Sequence, residues 1–314
     1  MSENLINALG RDAAYQLANV VKTPPQYMAI TPKWLTKFLE FKGLDAGVYR
    51  VNRVTEGDTP LDALCGQEPR KKEIPQGYIE YDEKPREYRL SSISTILNVN
   101  SVVADVYSSP FDQTDEQLKL AMESLRERQE SQIINNDDYG LLQNVADAQK
   151  IRPIGDAPTP DDLDELISKV WKDPSFFLAH PRAIAAFERE CTRRGVPPVT
   201  VSLQGGTFIT WRGIPLIPTD KLFVDGLKNP KGKSGKTTIL LVRTGENKRG
   251  VIGLYQNNTP GGQPRGLAIR FRGVDDNGVA SYLLSLYCSA AILADDAVAA
   301  LEDVEVGEYY DYSK

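Results

Sequence analysis

Histidine is nearly missing from this chain: His180 is the only one in 314 residues. That removes most routes to catalysis near neutral pH, because histidine is the side chain that ordinarily changes charge there. Its position between Ala179 and Pro181 reads as a helix entry, a structural place. Cysteine is scarce too. Cys65, Cys191 and Cys288 are odd in number, far apart and without a CxxC spacing. They suit neither a disulfide framework nor, with one histidine, a zinc site. Cys288 lies in an apolar run and reads as a small core residue. No continuous apolar stretch approaches the roughly 20 residues of a membrane span. Met1 to Val20 mixes Glu3, Arg11, Asp12 and Gln16 into its apolar positions, unlike a signal peptide. The cytosol is the expected location, with no membrane partner. Basic charge is not in excess either. The formal net charge is -6, opposite in sign to a phosphate-neutralising surface, so no nucleic-acid partner is expected.

What is present is a chain rich enough in hydrophobic residues, at 41%, to bury a core. Residues 1–45 read as an arm. A short amphipathic helix is predicted over Leu5 to Val21, interrupted by Pro24, Pro25 and Pro32. A second is predicted from Trp34 to Phe41, with Gly43 close behind. Residues 46–98 read as a large hairpin. Val48 to Val54 and Tyr78 to Tyr81 have strand character, Arg86 to Val106 continues it, and a long polar connection over Glu56 to Gln76 lies between. A loop of that length is usually functional, and one use is to reach onto another subunit. Tyr49, Val51, Tyr78, Tyr81 and Tyr88 are its candidate contact residues.

Asp112 to Ile134 is predicted as the longest helix, with Leu118, Ala121, Met122 and Leu125 on one face. A hinge follows over 147–160, then a compact α/β unit. Thr159-Pro160-Asp161-Asp162 is a strong helix start, with Leu163, Leu166, Ile167, Val170 and Trp171 as its buried stripe. Pro181 opens another helix that turns Ile184, Phe187 and Cys191 inward. Strands are predicted at Thr207 to Trp211, Ile214 to Ile217 and Thr238 to Arg243. Val279 to Leu293 alternates Tyr282, Leu284, Leu286, Cys288, Ala290 and Ile292 with serines, the pattern of a long strand with one buried face. The acidic tail, Glu302 to Tyr312, reads as exposed.

Two apparent motifs fall away. Gly232-Lys-Ser-Gly-Lys-Thr237 resembles a phosphate-binding loop, but such a loop must open a helix, and Thr238 to Val242 reads as a strand. The acid pairs Asp137-Asp138, Asp161-Asp162 and Asp295-Asp296 sit at helix ends or turns, where acids are common for electrostatic reasons. No catalytic constellation, cofactor site or metal site stands out, and the chain does not read as an enzyme.

The order of elements resembles the tailed-phage major capsid fold: arm, extended loop, one long helix, inserted α/β unit, final long strand. The stretch Leu125 to Ile134 with Tyr139-Gly-Leu-Leu142 looks like the end of its spine helix, and Gly213 to Asp220 like its strand after the inserted domain. The sequence resembles still more closely the family 2A encapsulin shell proteins. Gly47 to Val54, Pro85 to Thr95, Ala157 to Asp164 and Phe208 to Pro218 carry that likeness, which spans essentially the whole chain. It implies an α+β, capsid-like fold with a peripheral domain in two parts, 99–156 and 263–314, and an axial domain over 157–262. It further implies self-assembly into the smallest icosahedral shell, a 60-mer of T=1 symmetry, around a cysteine desulfurase cargo that serves sulfur metabolism or storage. A phage or prophage capsid protein is the alternative. By the same resemblance, the stretch after the second axial helix approaches a fivefold pore: Gly195, Val196, Pro197, Pro198 and Val199, then Thr200, Ser202, Gln204 and Gly205.

Overall fold

A computed structural model describes residues 33–51, 84–100, 113–225, 235–259, 266–276 and 278–307. The expectations for Leu5 to Val21, Cys65, Tyr78, Tyr81 and the whole polar connection lie outside the described residues.

The elements follow in chain order. Helix α1 (Trp34–Phe38) leads to strands β1 (Phe41–Leu44), β2 (Val48–Val51), β3 (Arg86–Arg89) and β4 (Ser91–Asn100). The long helix α2 (Gln113–Asn135) and the short β5 (Lys150–Ile151) come next. At about 1.5 Å per residue α2 is a rod of roughly 35 Å. Then come α3 (Pro160–Lys169), β6 (Phe176–Ala179), α4 (Pro181–Arg193), β7 (Val199–Leu203), β8 (Gly206–Trp211) and β9 (Ile214–Pro218). Strands β10 (Lys236–Val242), β11 (Val251–Gln256), β12 (Leu267–Val274), β13 (Val279–Ile292) and β14 (Val298–Glu305) complete the chain.

Two sheets organise these strands. The first is built around β13. Its late residues pair with β11, as in Val251 opposite Ile292, and its early ones with β12, as in Phe271 opposite Tyr282. β4 lies antiparallel along its other edge from Asn100 to Ser91. One face receives the expected stripe of α2, with Leu118, Ala121, Met122 and Leu125 packed against Leu267, Leu284, Leu286 and Cys288. The second sheet runs β5-β14-β10-β6-β9-β8-β7. Its central strands are covered on both sides, so they carry continuous apolar runs instead of alternation. Ile239 and Leu241 face α3 and α4, while Leu240 and Val242 face α1 and the end of α2. α3 begins with a capping box: Thr159 Oγ1 accepts from the Asp162 amide, and Asp162 accepts from the Thr159 amide at 2.8 Å. Its loss would cost about 1 kcal/mol.

Several expectations change. The first described helix ends at Phe38, because Leu39 is extended. Phe41 instead starts β1, with its ring on Gly253, where a Cβ would stand 2.4 Å from it. The strand expected over Arg86 to Val106 breaks at Leu90, and Ser91 to Asn100 pairs along β13 in the sheet; residues 101–106 lie outside the described residues. Trp171 is 70% exposed, not buried. α3 ends at Lys169 and Val170 leaves helical geometry, so the stripe loses its phase one residue before the tryptophan. β13 buries Ser285 and Ser289 as well as its apolar set. The acidic tail is not wholly exposed: β14 pairs with β10, and Val304 and Val306 are buried between the acids. β14 therefore lies in the seven-stranded sheet and β11 in the five-stranded one. The chain crosses between the sheets at 243–250 and again at 293–297.

Candidate assembly surfaces

A two-stranded hairpin has little stability of its own. The root of the extended loop is such a hairpin, β2 against β3, with Tyr49 directly opposite Tyr88. Both tyrosines pack beside Leu44, Ile252, Leu254 and Ala291 on the five-stranded sheet. The Tyr49 hydroxyl donates to Glu246 at 2.8 Å, and Lys42 binds the same carboxylate. Burial, then the bond to Glu246, pushes the Tyr49 phenol up to about 12. Bonds from Lys42 and Tyr49 hold Glu246 below the usual carboxylate range. On the other strand the Tyr88 hydroxyl donates to the Ile292 carbonyl, and Arg86 reaches Asp295 at 3.2 Å. Tyr49 and Tyr88, two of the candidate contact residues, thus fasten the root of the loop to its own subunit. Val51 is half-buried at the end of the described root.

The stretch expected as one pore loop is three features. Gly195 to Pro198 is a turn after α4, Val199–Leu203 is strand β7, and Gln204-Gly205 is a two-residue hairpin turn with φ of 51° and 80°. Positive φ at both central residues is the mark of the tight turn that matches strand twist. The two turns therefore sit at opposite ends of a strand about 17 Å long. β7 is the outer strand of its sheet. Val199 is 71% exposed, and no charged side chain occurs from Gly195 to Trp211. β8 meets β9 only at Thr210 and Trp211, so most of this hairpin extends past the sheet. Trp34 and Phe38 prop it by edge-on contacts with Phe208, at 5.0 Å and 5.6 Å.

The second half of α2 buries polar groups. Glu123, Glu127 and Glu130 share one side of the helix. Lys33, where the arm joins the described chain, pairs with Glu123, and Lys221 pairs with Glu127 at 2.6 Å. Glu130 accepts from the Thr219 hydroxyl at 3.1 Å. Burial pushes Glu130 up to about 7, against the lowering effects of Thr219 and Lys221. These residues look like a solvated helix face in sequence, and only the neighbours packed on that face reveal otherwise.

At the crossing between the sheets, Arg243 is 1% exposed and donates to Asp296 at 2.6 Å. Lys172 holds the other oxygen of Asp296 at 2.9 Å. Burial would raise the Asp296 carboxyl, but the bonds from Arg243 and Lys172 outweigh it and keep the group low.

The histidine and the two cysteines of the described residues are occupied or buried. His180 Nδ1 caps α4 by accepting from the Arg182 amide at 3.1 Å. Burial lowers its pKa, followed by the charge of Arg182. Burial also pushes the Cys191 and Cys288 thiols up, to about 11 and about 12, away from the thiolate a nucleophile needs. Lys236, the lysine of the discarded phosphate-binding pattern, opens strand β10 and not a helix. Among the described residues no helix is long and apolar enough to cross a membrane.

A long helix laid on a sheet, a second sheet with its own helices and a clamped hairpin root together define a capsid-type shell fold. Solved capsid structures share it. The capsid of a native GTA particle superposes with a TM-score of 0.60 at 10% identity, covering 91% of this chain and 93% of that one. The virus-like particle of Pyrococcus furiosus gives 0.51 at 13% identity, covering 85% and 91%. Residues 49–308 match the family described as "Type 2A encapsulin shell protein SrpI-like". The type 2A encapsulin shell protein SrpI of Synechococcus elongatus is 51% identical over 313 residues, 99% of each chain. A type 2A encapsulin shell protein of Mycolicibacterium paratuberculosis is 50% identical over 314 residues, also 99% of each. The cryo-EM structure of the holo-SrpI encapsulin complex superposes with a TM-score of 0.81, covering 97% of this chain and 99% of that one. The chain belongs to the type 2A encapsulin shell proteins, and it is a shell subunit that forms a compartment.

Proposed function

We propose that this subunit closes into a T=1 shell of sixty copies in the cytosol, that the shell encloses a cysteine desulfurase, and that it serves sulfur metabolism or storage. The subunit is a wall and not an enzyme. The observation that carries this is identity of about half the residues along nearly the whole length of type 2A shell proteins. The cargo and its chemistry rest on the family resemblance alone. The uncharged β7 hairpin and its two turns line the fivefold opening, a reading supported by their exposure. The polar connection from Glu56 to Gln76 lies over a neighbouring subunit.

The test is to express the chain alone and together with a cysteine desulfurase, then weigh and image the particles. Sixty chains of 34.8 kDa give about 2.1 MDa for a closed shell. Hollow particles of that mass, with the pyridoxal-phosphate enzyme retained inside, support the reading. Particles that exclude the enzyme sink the cargo assignment. Particles holding long nucleic acid favour a phage-type capsid. Deleting Glu56 to Gln76 is expected to block or weaken assembly, and normal particles from that deletion would show the segment dispensable.

A further inference from the structure

The five residues from Ile292 to Asp296 carry an unusual load. They lie where β13 leaves one sheet to become β14 of the other. The Ile292 carbonyl accepts from Tyr88 and, at 3.3 Å, from Arg86. Asp295 accepts from Arg86 Nη2 at 3.2 Å. Both donors belong to the root of the extended loop. One residue further on, Asp296 takes Arg243 from the parallel crossing and Lys172 from the end of the α3 connection. The Arg243 amide donates to Ala297 O at 2.9 Å, and the Leu293 amide to Gly250 O at 3.2 Å, so the two crossings are laced together. The adjacent acids divide their work. Asp295 holds the loop, and Asp296 holds the sheet-to-sheet crossing.

Such a knot is a poor way to gain stability. A buried ion pair is often matched or bettered by well-packed apolar residues. Here Arg243 Nε and Nη1 are buried and have no hydrogen-bond partner among the described residues. What directional contacts supply better than apolar ones is angle. A shell closes only if every subunit presents its contacts at one fixed rotation to the next; otherwise the contacts run on into open or variable assemblies. Four residue pairs in one short strand pair at the loop root cannot hold that angle alone.

We infer that Asp295 and Asp296 are the positioning residues of the shell: by pinning Arg86 and Arg243 side by side, they set the attitude of the extended loop against both sheets and so select a single particle diameter. This rests on the shell reading above. The effect is carried through Arg86 and Arg243, not by contact with a neighbour.

The test is the diameter distribution, by electron microscopy, of full-length Asp295→Ala, Arg86→Leu and Asp295→Asn beside the unaltered chain. Near-ultraviolet circular dichroism reports folding. The alanine and leucine variants are expected to stay folded yet lose most particles of the original diameter to open or mixed-size assemblies. Asparagine keeps an oxygen for Arg86 and is expected to restore one diameter. Folded alanine and leucine variants that close at the original diameter would overturn the proposal. So would an asparagine variant as heterogeneous as alanine. Should Asp295→Ala fail to fold, Arg86→Leu decides the same way. If the unaltered chain forms no closed particle, the shell reading itself fails, and the joint's role with it.

Discussion

The β2–β3 hairpin and the β7–β8 hairpin both reach beyond a sheet, and they are held by different forces. The first adds polar contacts to its apolar packing: Tyr49 to Glu246, Tyr88 to Ile292, Arg86 to Asp295. The second has no charge along it and stands on ring packing, with Phe208 wedged among Trp34 and Phe38. Packing resists separation but tolerates small rotations. Hydrogen bonds to fixed carbonyls and carboxylates lose strength as the angle departs. The loop proposed to meet a neighbour has the directional anchorage, and the hairpin at the sheet edge has the adhesive one.

The contrast can be broken most severely on the packed side. Phe208→Ala empties a site 4% exposed, and a loss of about 3–5 kcal/mol is expected from large-to-small core data. Denaturant unfolding measures it, and a loss comparable to Tyr49→Phe would show that the ring contact is not the anchor. Next comes the buried carboxyl of α2. Glu130 is raised to about 7 from 4.5 when folded. Between those values the folded chain keeps a proton that the unfolded chain has released. Stability from this group is therefore complete below about pH 4.5 and is lost as pH rises toward 7, on the order of 3 kcal/mol in all. Glu130→Gln should flatten that part of the stability profile, measured by thermal unfolding from pH 4 to 8. An unchanged slope would remove Glu130 as its source. Gly206→Ala is smaller. Its Cβ would stand 2.7 Å from Trp34 and 2.8 Å from Phe208, and overpacking of this kind costs about 1–3 kcal/mol. Smallest is Tyr49→Phe, which removes one hydrogen bond and should cost about 1 kcal/mol. Its sharper signature is a wider spread of particle diameters at nearly unchanged stability, which the packed-side variants should not show.

Legibility in the sequence followed periodicity. The stripe Leu118, Ala121, Met122 and Leu125 was readable because helix geometry repeats it, and the capping box at Thr159 because its chemistry is local. Trp171 escaped because a helix end shifts phase without a compositional sign. The polar joints were the least visible. Asp295-Asp296 was conspicuous as a pair but indistinguishable from ordinary turn acids, and Glu123 and Glu130 from a solvated face. Their partners lie far along the chain: Arg86 for Asp295, Arg243 for Asp296, Thr219 for Glu130.

From its own order of residues, then, the chain determined its helices, its long central strand, its capsid-type plan and, by resemblance, its family. Those depend on local geometry and on runs of neighbouring residues. Only the tertiary structure decided that Tyr49 and Tyr88 grip their own subunit, that β14 joins the seven-stranded sheet, and that two adjacent aspartates split two distant arginines. Contacts between residues some 50 to 200 positions apart leave no periodic trace; they exist because the backbone crosses twice between two sheets at one place.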